Sequence, residues 1–130
     1  MLRILLVDDN AMARAAIKAA LQRHSEWVVV GEACSGEEAL ETFRRYRPQL
    51  TVMDFLMPEM NGLETARHLK ERNPDALILM ITTDPSSQLQ EEARGAGIKG
   101  VCAKGEMDGL ENAVDTVIQG GTFFSRKAAA

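Results

Sequence analysis

Cysteine is almost missing from this chain of 130 residues. Cys34 and Cys102 are too few for a disulfide framework and too far apart for a CxxC metal or redox motif. Both lie in or beside apolar runs, where a small buried hydrophobe is expected. Histidine is equally scarce: His24 and His68 fall on helical stretches and read as ordinary surface residues. A zinc site, which draws on His and Cys, is therefore not expected. There is no excess of Lys and Arg, since the formal charge is -4, and this argues against a broad nucleic-acid-binding surface on this chain. No apolar run approaches the ~20 residues that span a bilayer. The opening Met-Leu-Arg-Ile-Leu-Leu-Val runs straight into Asp8 and Asp9, too short a stretch for a secretory signal, so a cytoplasmic location without membrane contact is expected. Neither GxGxxG nor a P-loop follows the first apolar run, which removes the nucleotide-binding folds built on them.

What is present fits one soluble domain with a real core, 45% hydrophobic and 26% charged. Five short runs rich in Val, Ile and Leu (Arg3 to Val7, Trp27 to Ala33, Leu50 to Met53, Leu77 to Ile81, Gly100 to Ala103) have the composition of strands buried on both faces. Helical periodicity separates and follows them. Ala13, Ala16, Ile17, Ala20 and Leu21 form an apolar stripe with Arg14, Lys18 and Arg23 outside it, and Leu110, Ala113, Val114, Val117 and Ile118 repeat the spacing. Ser35-Gly-Glu-Glu38 predicts a capping box and Asn61-Gly-Leu-Glu64 a similar start. Pro48 and Pro74 are expected to hold the chain extended before the next strand. Alternating strands and helices imply right-handed crossovers and a doubly wound parallel sheet.

In such a sheet ligands bind beyond the carboxyl ends of the strands. There the sequence places Asp8 and Asp9, Asp54, Thr82 and Lys104. Three carboxylates repel one another, and such a cluster persists where a cation neutralises it or one group is protonated. An all-oxygen donor set suits Mg²⁺. Lys104 would neutralise a phosphoryl oxygen, Thr82 could donate to another, and a carboxylate can attack phosphorus to give an acyl phosphate. Singly, an Asp after a strand is usually a helix cap, a role Asp9 could partly serve, and a Thr or Lys there is usually a turn residue or solvated charge. Jointly, their origin in separate units at matching strand ends favours a metal and phosphoryl site.

The fragments Ile-Leu-Leu-Val-Asp8-Asp9-Asn10, Val-Met-Asp54-Phe-Leu-Met-Pro58-Glu-Met-Asn-Gly62, Ile-Leu-Met-Ile-Thr82-Thr83 and Gly95-Ala-Gly97-Ile-Lys-Gly-Val-Cys-Ala-Lys104 resemble, in order and spacing, the receiver domains of two-component response regulators. The resemblance implies a (βα)5 flavodoxin-like fold of strand order 2-1-3-4-5. It also implies Asp54 as phosphoacceptor, Asp9 as a direct Mg²⁺ ligand, Asp8 acting in the metal site through water, and the Leu56 backbone carbonyl as a further ligand. Thr82 would be the switch hydroxyl and Lys104 the phosphate partner, with Pro58 and Gly62 shaping the loop into the third helix. A receiver would occupy 1–124, leaving 125–130 as a tail or the start of a linker.

A sensor histidine kinase is the implied phosphoryl donor, and the face made by the fourth helix, fifth strand and fifth helix is the implied homodimer surface. Catalysis would be limited to the domain's own phosphorylation and slow dephosphorylation. The stretch from Gly109 to Ser125 resembles the exit of NarL/LuxR-type receivers, in which a DNA-binding domain follows, so transcriptional output is expected through a domain absent from these residues. A stand-alone receiver acting by protein contact is the alternative. A haloacid-dehalogenase phosphatase also uses Asp, Mg²⁺, Thr and Lys, but its DxD pattern is not met by Asp8-Asp9-Asn10. Two positions depart from the family: Val101 stands where many receivers carry an aromatic ring, and Gly105 where many have Pro, which predicts a looser turn.

Overall fold

The computed structural model describes residues 1–106 and 108–124, and the expected tail 125–130 lies outside the described residues. The five apolar runs become β1 (Leu2–Val7), β2 (Trp27–Ala33), β3 (Leu50–Asp54), β4 (Ile78–Thr82) and β5 (Gly100–Ala103). All pair in parallel, in the order β2-β1-β3-β4-β5. Between and after them lie α1 (Ala11–Gln22), α2 (Gly36–Tyr46), α3 (Gly62–Arg72), α4 (Ser87–Gly95) and α5 (Asp108–Ile118). The doubly wound flavodoxin-like order is as expected. Asp54 and Thr82 are the last residues of their strands rather than the first beyond them.

Because strand side chains alternate, each run feeds two cores. Leu5, Val7, Met53, Met80 and Val101 face Phe43, Leu63, Leu69 and Leu89 on one side; Ile4, Leu6, Val52, Ile81 and Cys102 face Ile17, Leu21, Leu110 and Val117 on the other. Burying each large aliphatic contributes roughly 1.5 to 3 kcal/mol before chain entropy is subtracted. One polar atom intrudes: Thr51, in the middle of the fully buried β3, has a hydroxyl with no partner among the described residues.

Several local expectations are corrected. In α1, Ile17 and Leu21 are buried but Ala16 is exposed. The buried face is turned toward the half-buried Arg14 and Lys18, which both reach Glu32 on β2 at 3.0 Å. Asn10, not Asp9, caps this helix, accepting from the Ala13 N–H. Ser35 caps α2, but Glu38 reaches past it to the N–H of Cys34 at 2.7 Å. The full capping box belongs to Asn61 and Glu64 on α3. Pro74 enters a turn closed by Ala76 N–H to Asn73 O, so the chain is not simply extended there. Cys34 is exposed, since it lies past the end of β2, while Cys102 is buried and its thiol is pushed up to about 11 by burial. His24 lies beyond α1 and is not a plain surface residue: it stacks on Trp27, centroids 4.1 Å apart. His68 is exposed on α3.

Both rims of the sheet are modified. On β2 the register slips opposite Ile4 and Leu5, leaving Val30 as a bulge, and the Gln22 side chain accepts from the Val29 N–H at 3.1 Å. Beside β5 the chain returns after α5: Val101 N–H donates to Phe123 O at 2.8 Å and Phe123 N–H to Lys99 O at 2.9 Å. Phe124 packs on the core that Val101 faces, under the Arg94 guanidinium, 4.2 Å from its ring centroid. No helix among the described residues is long and apolar enough to cross a membrane.

Candidate functional site

Asp8 follows the last residue of β1, and its N–H donates to Ala33 O at the end of β2. Its side chain is fully buried. Lys104, in the turn after β5, reaches back so that Nζ lies 2.9 Å from Asp8 Oδ2 and 3.3 Å from Asp54 Oδ2. The remaining Asp8 oxygen accepts from the Asn10 N–H at 2.9 Å. Oxygens of Asp8, Asp9 and Asp54 all come within 4.8 Å of one another. Asp8 and Asp54 are buried; Asp9 is exposed and has no hydrogen bond or ion pair among the described residues.

The electrostatics follow from this crowding. Burial, then the charge on Asp8, raise the Asp54 carboxyl above its ordinary range against the pull of Lys104. Burial works against the Lys104 ammonium, but its hydrogen bond to Asp8 and the charges of Asp54 and Asp8 outweigh this and hold it above the ordinary lysine value. One ammonium thus faces three carboxylates. A hard divalent cation would redress that imbalance, and the all-oxygen donor set with a free carboxylate at Asp9 fits Mg²⁺.

The loop from Asp54 to α3 is folded tightly beside the Asp54 carboxylate. Gly62 N–H donates to Phe55 O at 2.7 Å, Met60 N–H to Pro58 O at 2.8 Å, and Glu59 takes a positive φ of 68°. A cleft of about 470 Å³ opens onto the site, lined by Asp9, Asn10, Asp54, Leu56, Met57, Pro58, Thr83 and Lys104. Leu56 lies on this wall with its side chain largely in solvent.

Thr82 is placed less directly. It is buried at the end of β4, accepts from the Asp84 N–H at 3.2 Å, and lines a neighbouring cleft with Phe55, Leu56, Asp84 and Leu89. Thr83 lines both clefts. Asp8, Asp54 and Lys104 are therefore joined in one network, with Asp9 beside it and Thr82 adjoining it. The turn at Lys104 and Gly105 carries a hydrogen bond from Glu106 N–H to Ala103 O at 3.0 Å. Val101 is buried and has no ring to turn. Sequence reasoning missed Arg14, which donates to the Asp8 carbonyl at 2.7 Å, because only the tertiary fold brings α1 back onto β1.

The response regulator receiver domain family matches residues 4–115. Among curated relatives, the transcriptional regulatory protein DegU of Brevibacillus brevis is 32% identical over 127 residues, 97% of this chain and 54% of that protein. The chain thus spans about half the length of relatives of that kind. The chemotaxis protein CheY of Thermotoga maritima is 33% identical over 102 residues, 78% of this chain and 84% of that protein. Among solved structures, a two-component response regulator of the LuxR family from Aurantimonas superposes with a TM-score of 0.95 at 30% identity, covering 99% of this chain and 93% of the other. The receiver domain of NarL from Mycobacterium tuberculosis superposes at 0.85 with 26% identity, over 92% and 97%.

Proposed function

Because this chain belongs to the response regulator receiver domain family, we propose that it is a Mg²⁺-dependent switch whose Asp54 accepts a phosphoryl group from a sensor histidine kinase. One observation carries the reading: the buried Asp54 carboxylate borders an open cleft, next to Asp9 and 3.3 Å from the Lys104 ammonium. In the transfer, an Asp54 oxygen forms the new P–O bond as the P–N bond of the phosphohistidine breaks and the imidazole leaves.

The metal ligands would be Asp9 and Asp54 directly, Asp8 through water, and the Leu56 carbonyl. When bound, the cation would spread the charge that develops on the phosphoryl oxygens. Lys104 would move from its carboxylate partners onto a phosphoryl oxygen, and the Thr82 hydroxyl would donate a hydrogen bond to another. The domain's own chemistry is confined to this transfer and slow autodephosphorylation, within residues 1–124, with 125–130 as tail or linker. The setting is cytoplasmic. Transcriptional output would come through a DNA-binding domain outside these residues, as the LuxR-family relatives support, with α4, β5 and α5 offering a homodimer face. The alternative is a stand-alone receiver that acts by protein contact; the match to CheY, a chemotaxis protein of which this chain covers 84%, supports a receiver without a further domain.

Intact mass after incubation with Mg²⁺ and acetyl phosphate tests this. A gain of one phosphoryl group, abolished by Asp54→Asn and by omitting Mg²⁺, is expected. Failure of the wild-type chain to take up phosphate would overturn it.

A further inference from the structure

The Asp9 carboxylate is held by no donor among the described residues, so the peptide groups on either side are what fixes the point from which its side chain projects. On the far side, the Asn10 N–H is pinned to Asp8 Oδ1 at 2.9 Å. On the near side, the Asp8 carbonyl accepts from Arg14 Nη1 at 2.7 Å. The Arg14 guanidinium is in turn oriented by Glu32, with Nε 3.0 Å from Oε1, and Lys18 Nζ holds the other Glu32 oxygen at 3.0 Å. The Lys18 hydrogen bond and then Arg14 keep the Glu32 carboxyl below its ordinary range despite partial burial, so the anchor stays charged. The next residue, Ala33, takes the Asp8 N–H at 3.0 Å. The end of β2 therefore grips both backbone groups of Asp8, the N–H directly and the C=O through Arg14.

We propose that Arg14 is a positioning residue for the metal site. Its fork, shared between the Asp8 carbonyl and Glu32, fixes the peptide that aims the Asp9 carboxylate into the cleft. Arg14 is not among the residues lining that cleft, so it acts on the ion without touching it. The proposal rests on the reading of Asp9 as a Mg²⁺ ligand. Charge alone points the other way. A cation near a metal site repels the metal ion, so on charge alone deleting it would leave binding unchanged or tighten it. The sign of the effect therefore separates positioning from charge. An arginine suits the task because a planar guanidinium can serve two acceptors at fixed angles, which an ammonium at the end of a flexible stem does not do.

The test is a Mg²⁺ titration of the full chain, followed by the amide shifts of Asp9 and Asn10, for wild type, Asp9→Ala, Arg14→Ala and Arg14→Lys. Arg14→Ala is expected to bind Mg²⁺ about tenfold more weakly, the scale on which groups that orient a metal ligand act. Arg14→Lys should recover less than half of that loss although it keeps the charge. Urea midpoints in metal-free buffer verify that each variant is folded at the titration temperature. If Arg14→Ala does not fold, Glu32→Gln releases the same arginine and should also weaken binding. Wild-type or tighter Mg²⁺ affinity in a folded Arg14→Ala protein, or in Glu32→Gln where that is the variant measured, overturns the proposal. If wild type shows no saturable binding, the reading of Asp9 fails and the proposal with it. If wild type binds and Asp9→Ala does not, only the role of Arg14 is being judged.

Discussion

The Cβ that Gly62 lacks would stand 2.4 Å from the carbonyl oxygen of Asp54. Phe55 Cα would be 2.9 Å away, so the obstruction is backbone rather than the end of a flexible side chain. The loop cannot back off without losing the hydrogen bond from Gly62 N–H to Phe55 O. Gly62→Ala is expected to destabilise the fold by about 1 to 3 kcal/mol and to displace Asp54, slowing uptake from acetyl phosphate. Urea denaturation and intact mass check the two effects, and wild-type values for both would show that the loop has room to spare.

Asp54→Asn should be more stable than wild type at neutral pH. Burial and Asp8 raise the Asp54 carboxyl in the folded state, so the group favours folding only when protonated. That contribution is complete below the ordinary carboxylate value and is lost as pH rises through the folded value. The advantage of the Asn variant should therefore shrink as the pH is lowered into the acid range. Mg²⁺ should stabilise wild type and leave Asp54→Asn less affected. Metal-free urea midpoints across that range decide it; an Asn variant weaker than wild type at neutral pH would contradict the argument.

Thr51→Val replaces a hydroxyl that is fully buried and unpartnered among the described residues by a methyl group of similar size. Removing the unmet desolvation penalty should stabilise the protein by about 1 kcal/mol. Thermal or urea unfolding would detect it, and a destabilised Val variant would mean that the hydroxyl has an acceptor or an ordered water.

Gly100→Ala would set a Cβ 2.7 Å from the Phe123 carbonyl oxygen and 3.0 Å from Leu79 Cδ1. Undocking of Phe123 and Phe124 from β5 is the expected response. Hydrogen exchange at the Val101 amide, which donates to Phe123 O, should rise about tenfold while central β4 amides keep their protection. Unchanged exchange at Val101 would place the adjustment in Leu79 instead.

Much of this was legible in the chain because the signals were local. Trp27 to Ala33 and Gly100 to Ala103 are strands over the expected residues, since short runs, mostly apolar and bounded by turn residues, favour a strand. Asp8, Asp9, Asp54 and Lys104 could be grouped because a parallel sheet sends every strand's carboxyl end to one edge. The rest depends on contacts between distant segments. Nothing near Arg14 announces the Asp8 carbonyl, and nothing in Ser35 to Glu38 says that the Glu38 carboxylate will pass the cap and take the Cys34 N–H. Ala16 reads as core by spacing alone but is exposed, on a helix whose Arg14 and Lys18 instead lie toward Glu32 on β2.

The modified rims of the sheet have a consequence for association. An open parallel sheet ordinarily offers two ladders of unpaired backbone groups to other chains. Here a bulge at Val30 and the Gln22 side chain interrupt one ladder, and Phe123 occupies part of the other. Self-assembly by adding strand to strand is thereby obstructed at both ends. A second copy approaching the α4, β5 and α5 face would meet Phe123, Phe124 and Arg94 before any bare strand. Its recognition would be written in two rings and a guanidinium.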